Sequence, residues 1–192
     1  MNYVAAKNLA EKYAALIQPG CVRLEIVGSV KRGDKAEVHD IEYLVIADER
    51  PPRLEFGMKN PPKNRLLKVL QDLCDEGLLR FIKGADRLRQ YAILGAGEVN
   101  PFCMEVYIVS AETWGIQNVI RTGPAEFSHR YVTPRQYGGL LPDDLEYVRG
   151  ETKICRGGAA LALPEERDAL ALLGLGWIEP KERRRYAEKS YG

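Results

Sequence analysis

Long apolar runs are missing from this chain of 192 residues. No stretch of about 18 apolar residues is available to span a bilayer, which argues against a helical membrane protein. The opening residues 1–18 carry charges through what would be the apolar part of a secretory signal, so a cytoplasmic protein with no membrane partner is expected. Histidine is scarce at 2, and the 4 cysteines, Cys21, Cys74, Cys103 and Cys155, are scattered without a CxxC pair. Neither a zinc cluster nor a disulfide framework is indicated, and the thiols read as reduced and mostly buried. A strong excess of one charge is lacking too. With 28 Lys+Arg against 27 Asp+Glu, charge alone does not name nucleic acid as a partner. Basic residues do cluster within 31–35, 59–68, 80–89 and 181–185, but such runs serve as solvated faces as readily as phosphate tracks. No internal repeat or low-complexity tract is present. What remains, with 45% hydrophobic residues, is the composition of a folded globular protein.

Leu9, Tyr13, Leu16 and Ile17 fall at helical spacing in Tyr3 to Ile17, and Pro19-Gly20 supplies a stop. Val22, Leu24 and Ile26 then alternate with Arg23 and Glu25, and the apolar run Ile41 to Ile46 reads as a second, more buried strand. Pro51-Pro52 and Pro61-Pro62 bracket an irregular stretch, followed by a crossover helix marked by Leu66, Leu70, Leu73 and Cys74 that Gly77 can end in a left-handed turn. Leu78 to Ile82, Gln90 to Leu94 and Cys103 to Val109 read as three further strands. In the last, Glu105 and Tyr107 face away from Met104, Val106 and Ile108. Two short helices, Trp114 to Ile120 and Ala125 to Val132, flank the breaker Thr122-Gly123-Pro124, and a final helix runs from Pro164-Glu165-Glu166 to Gly174. The pattern predicts an α+β fold with a mixed sheet flanked by helices. Its expected divisions are an amino-terminal helix over 1–20, a main domain over 21–122 and a small α+β domain over 123–192.

Asp40 and Glu42 sit two apart in the apolar strand, so their side chains share one face of the sheet with α-carbons about 7 Å apart. Two adjacent carboxylates repel and resist desolvation, which calls for a cation or strong hydrogen bonds. An all-oxygen site suits Mg²⁺, and Glu105 becomes a third ligand if its strand neighbours theirs in a mixed sheet. A bare D-x-E also fits the solvent face of an edge strand. Just upstream, Gly28-Ser29 and Arg32-Gly33 close the preceding strand, where a backbone nest, a hydroxyl and a guanidinium could hold the outer phosphates of a nucleoside triphosphate.

The segments Gly28 to Gly33 (GSVKRG), Asp40 to Val45 (DIEYLV), Glu105 to Val109 (EVYIV), Trp114 to Phe127 (WGIQNVIRTGPAEF) and Leu173 to Arg184 (LGLGWIEPKERR) together resemble the DNA polymerase beta type of nucleotidyltransferase. Within that group the likeness is to short family X DNA polymerases of the kind found in bacteriophages and some bacteria. The resemblance implies a palm carrying three acidic metal ligands and a thumb-like end. It assigns the β and γ phosphates to Gly28, Ser29 and Arg32, two Mg²⁺ ions to Asp40 and Glu42, with Mn²⁺ able to substitute, and the catalytic ion to Glu105. Arg121, Thr122, Gly123 and Ser128 are implied as nucleotide or DNA contacts, with a salt bridge to Glu126 the alternative for Arg121. The family's TGS motif carries a cis peptide after its glycine, so Gly123-Pro124 is expected to be cis, against the alternative of a trans proline opening a helix.

The match departs from the family in places. Ile120-Arg121 replaces a Tyr-Phe pair and Ser128 an asparagine, which puts sugar discrimination and base contact in question. The sequence holds no counterpart of the family's amino-terminal lyase domain, so no lyase activity is expected. The partners implied are gapped or primer-template DNA and nucleoside triphosphates, for a monomeric enzyme filling short gaps in DNA repair. Two rivals share the catalytic residues or the fold: transfer to another acceptor, such as an RNA end, a protein or a small molecule, and a catalytically silent nucleic-acid-binding module.

Overall fold

The computed structural model describes residues 1–52, 62–96 and 101–188, so most of the stretch between the two proline pairs lies outside the described residues. The chain is α+β, and it divides into two compact units, one of residues 1–26 and 36–109, the other of 27–35 and 110 onward. No described helix is long and apolar enough to cross a membrane.

The first unit is built on a five-stranded sheet. Its strands are β1 (Cys21–Val27), β2 (Asp40–Ala47), β3 (Leu79–Gly84), β4 (Leu88–Ile93) and β5 (Phe102–Ile108), in the spatial order β1-β2-β5-β4-β3. β5 runs parallel to β2 and antiparallel to β4, so the sheet is mixed, as the sequence predicts. A parallel neighbour needs a long crossover. Here it contains the helix Arg65–Asp75 and the antiparallel hairpin of β3 and β4. That helix ends as expected: Gly77 takes φ 73°, and the Leu78 N–H donates to the Leu73 carbonyl at 2.9 Å.

Helix α1 (Tyr3–Ile17) starts at Asn2, whose side chain accepts from the Ala5 N–H at 2.9 Å, and it buries Ala6, Ala10, Tyr13 and Ile17 along one stripe. The Tyr43 hydroxyl donates to the Ala10 carbonyl at 2.7 Å, which places α1 on the sheet face formed by Ile41, Tyr43, Met104 and Val106, all fully buried. The alternation of β2 and β5 sends Asp40, Glu42, Cys103 and Glu105 to the opposite face.

The second unit takes in α2 (Gly28–Arg32), α4 (Trp114–Thr122), α5 (Ala125–Val132), α6 (Glu166–Leu172) and α7 (Arg183–Glu188), the helix at Arg65–Asp75 being α3. With them goes an antiparallel sheet of β6 (Leu145–Val148), β7 (Lys153–Arg156) and β8 (Ala159–Ala160). The division falls before α4 rather than between α4 and α5, and residues 27–35 go with this unit rather than with the sheet that precedes them. The physical reason is the core: Ile116 and Val119 of α4 pack in one cluster with Phe127, Tyr131, Leu170 and Ile154, across the apparent break at Gly123-Pro124. α4 approaches the 163–165 segment backbone to backbone. The Gly115 N–H donates to the Leu163 carbonyl at 2.8 Å, and a Cβ on Gly115 would lie 2.1 Å from the Glu165 carbonyl oxygen.

Two consequences are measurable. Gly115→Ala forces backbone apart in a packed core and is expected to cost about 1–3 kcal/mol, read as a lowered urea midpoint. Asp48, just past β2, accepts from the Arg50 guanidinium at 2.6 Å and from Arg65 at 3.3 Å. Chiefly the Arg50 hydrogen bonds, against opposition from burial, hold its carboxyl far below the usual carboxylate range. A carboxyl depressed in the folded state stabilises above its unfolded value of about 3.9, and the contribution is lost as pH falls below it. Asp48→Asn is therefore expected to flatten the acid limb of a stability-versus-pH curve below about pH 4.

Candidate metal and nucleotide site

The acidic residues come together through strand register. In the parallel ladder Glu42 is the direct partner of Glu105 and Asp40 of Cys103. In-register partners on adjacent strands point to one face at a spacing of about 4.8 Å. Glu105 therefore stands beside Glu42, with Asp40 two residues along the same face, and all three are half-buried. Next in the row is Gln90 of β4, the antiparallel partner of Glu105. The Glu105 carboxylate is held on both oxygens: Gln90 Nε2 donates to Oε1 and the Tyr107 hydroxyl to Oε2.

Among the described residues no three Asp, Glu, His or Cys side chains converge on one point as an ion would require. Glu105 is turned to its two hydrogen-bond donors in this arrangement. The donor set suits a hard cation, because it is all carboxylate oxygen, and two acidic residues on a strand facing a third place like charges side by side.

The expected phosphate loop forms a short helix instead of an open nest. α2 runs Gly28–Arg32, entered through Gly28 at φ 68° and closed by Gly33 at φ 65°. Ser29 is buried to 9% exposure. The Arg32 guanidinium donates to the Thr122 carbonyl, and its Nε to Asp34 at 3.1 Å. Gly123 lies beside it, since a Cβ there would sit 3.3 Å from Arg32 Nη1 and 3.6 Å from Ser128 Oγ. Arg32, Thr122, Gly123 and Ser128, singled out from separate motifs, thus gather within the second unit. The Gly123-Pro124 peptide is cis, as the sequence reading expects.

No protein-family model and no curated protein matches this chain.

Several of these side chains serve the fold directly. The fully buried Thr122 hydroxyl donates to Asn118 Oδ1 at 3.2 Å, and the Ser128 hydroxyl to the carbonyls of Ile120 at 2.7 Å and Pro124 at 3.2 Å. Arg121 lies in the last turn of α4. Lys31 anchors α2, its Nζ donating to Asn118 Oδ1 at 2.6 Å and to Glu166 Oε2 at 2.8 Å. The other Glu166 oxygen takes Arg183 Nη2 at 2.7 Å, and the fully buried Arg183 guanidinium lies over the rings of Phe127, at 5.9 Å, and Trp177, at 6.0 Å.

Sequence reasoning misses Gln90, Tyr107, Asn118, Glu166 and Arg183. Glu166 and Arg183 sit among other charged residues, in PEERD and EPKERRR, so the sequence does not mark them out, and Gln90 becomes visible only through strand pairing. The cysteines are free as expected, but only Cys155 is buried and the other three are half-buried. The expectation of mostly buried thiols is therefore corrected: Cys103 stands opposite Asp40 on the carboxylate face, where sheet pairing leaves it partly open. Burial, with Asp48 adding a smaller push, raises the Cys21 thiol to about 12, so that group is unreactive at neutral pH.

Removing Glu166 strands two cations, one of them fully buried. Glu166→Ala is expected to destabilise the protein by about 3–5 kcal/mol in urea denaturation. Replacing Lys31 by Met, which leaves the Arg183 pair intact, should cost clearly less.

Proposed function

We propose that this protein is a nucleotidyltransferase of the DNA polymerase beta type, a short family X DNA polymerase that adds deoxynucleoside monophosphates to a primer 3′-hydroxyl in gapped DNA. The observation that carries the reading is the in-register pairing of Glu42 with Glu105, with Asp40 on the same face. Asp40, Glu42 and Glu105 lie on one face of two adjacent parallel strands, which supports the reading.

Asp40 and Glu42 would hold both divalent ions, and Glu105 would hold the catalytic one. Mg²⁺ bound there supplies positive charge for the attacking oxygen and for the leaving pyrophosphate, and Mn²⁺ can substitute. Glu105 also accepts the proton of the 3′-hydroxyl as the oxygen attacks the α-phosphorus. Ser29 and Arg32 bind the outer phosphates, Arg32 exchanging its Asp34 partner for a phosphate oxygen, a switch between two anions that a guanidinium fork accommodates. Thr122 and Gly123 set the backbone against Arg32, and Arg121 and Ser128 lie in the same segment for contact with nucleotide or DNA. Positioning and charge neutralisation carry the rate enhancement.

Extension of a gapped, labelled primer with single dNTPs and Mg²⁺ tests this directly. The wild type should add only the nucleotide complementary to the template. Glu105→Gln and Asp40→Asn should lower the rate by several powers of ten, equivalent to several kcal/mol of barrier, with an unchanged far-ultraviolet dichroism spectrum. Absence of transfer to DNA would favour a different acceptor, and transfer that ignores the template would contradict gap filling.

A further inference from the structure

Resting on the metal-site reading above, we infer that Gln90 is a positioning residue: its side-chain amide aims the Glu105 carboxylate at the metal and thereby sets metal affinity. Gln90 belongs to no motif. It reaches the site because β4 pairs antiparallel with β5 so that Gln90 is the direct partner of Glu105, on the face that also carries Glu42. Its Nε2 donates to Glu105 Oε1, a hydrogen bond to a charged acceptor and therefore one of the stronger kind.

The chemical identity of this donor matters. A carboxylate ligand on a strand has free side-chain torsions, and a hydrogen bond from outside the coordination shell fixes which oxygen faces the ion. A lysine or arginine at the same place would do so too, but its charge would pair with Glu105 and oppose the incoming cation. The neutral amide orients the anion and leaves its charge for the metal. Tyr107 holds the second oxygen from two residues along the same strand. Because a carboxylate has about four acceptor positions, it can keep the Gln90 bond while it turns Oε2 from the hydroxyl to an ion.

Gln90 lies on the border of a concavity of about 490 Å³ at the β3–β4 hairpin, lined also by Lys83, Arg87 and Leu88. Lys83 is the cross-strand partner of Gln90, so the ladder runs Glu42, Glu105, Gln90, Lys83. The lysine stands one strand further from Glu105, and the amide occupies the place between cation and carboxylate.

The test is Mn²⁺ binding to the full chain, followed by the paramagnetic resonance of free Mn²⁺, for wild type, Gln90→Met, Gln90→Asn and Gln90→Lys. Met keeps the length and removes the donor, and Asn keeps the amide but is too short to reach. Both should raise the Mn²⁺ dissociation constant about tenfold to a hundredfold with an unchanged urea midpoint. Lys should abolish binding. In primer extension the Met variant should need correspondingly more Mn²⁺ and recover most of the wild-type kcat at saturation. Equal Mn²⁺ affinity in wild type and the Met and Asn variants would overturn the role of Gln90. Absence of Mn²⁺ binding in the wild type would instead overturn the metal-site reading on which it rests.

Discussion

The parallel, in-register pairing of β2 with β5 is the constraint on which the candidate chemistry depends. Asp40 and Glu42 share a face by local geometry alone, but Glu105 reaches them only because Glu42 and Glu105 are direct partners in the ladder. A slip of one residue would turn Glu105 to the face covered by α1 and bring Met104 or Val106 to the carboxylates. The apolar face prevents it. Ile41, Tyr43, Met104 and Val106 are fully buried, and the Tyr43 hydroxyl is fixed to the Ala10 carbonyl, so the hydrophobic face that holds the sheet together also fixes the acidic one.

The second unit has a different organising interaction. Glu166 receives Lys31 on one oxygen and Arg183 on the other, joining α2, α6 and the start of α7, while Asn118 of α4 takes a further bond from Lys31. A pair of cations on one carboxylate in a buried setting is weak as a source of stability but strong as a fixed geometry. Here it sets the orientation of the five-residue helix that carries Ser29 and Arg32.

Much of this was legible in the sequence, and the limits have physical causes. The bounds of α1 follow from its apolar stripe and its Pro19-Gly20 stop, the shared face of Asp40 and Glu42 from the period of a strand, and the end of α3 from Gly77. The neighbour of each strand is non-local information, so the register of Glu105 was a condition and Gln90 was invisible. Thr122-Gly123-Pro124 looks like a boundary because glycine and proline interrupt a helix, yet the core spans it through Ile116, Val119, Phe127 and Tyr131. Gly115 gave no sign of its importance, since it is the non-local approach of the Leu163 and Glu165 backbone that crowds a side chain there. The glycines around GSVKRG suggested a loop, and both do take positive φ, but the residues between them wind into a helix. The metal, the triphosphate and the DNA rest on motif resemblance combined with the carboxylate register.

The most direct measurement is anomalous X-ray scattering from crystals soaked in Mn²⁺ with a non-hydrolysable deoxynucleoside triphosphate. Two manganese peaks about 3.5–4 Å apart, bounded by Asp40, Glu42 and Glu105, are the predicted result. Manganese bound only elsewhere on the protein, with these three carboxylates uncoordinated, would contradict it.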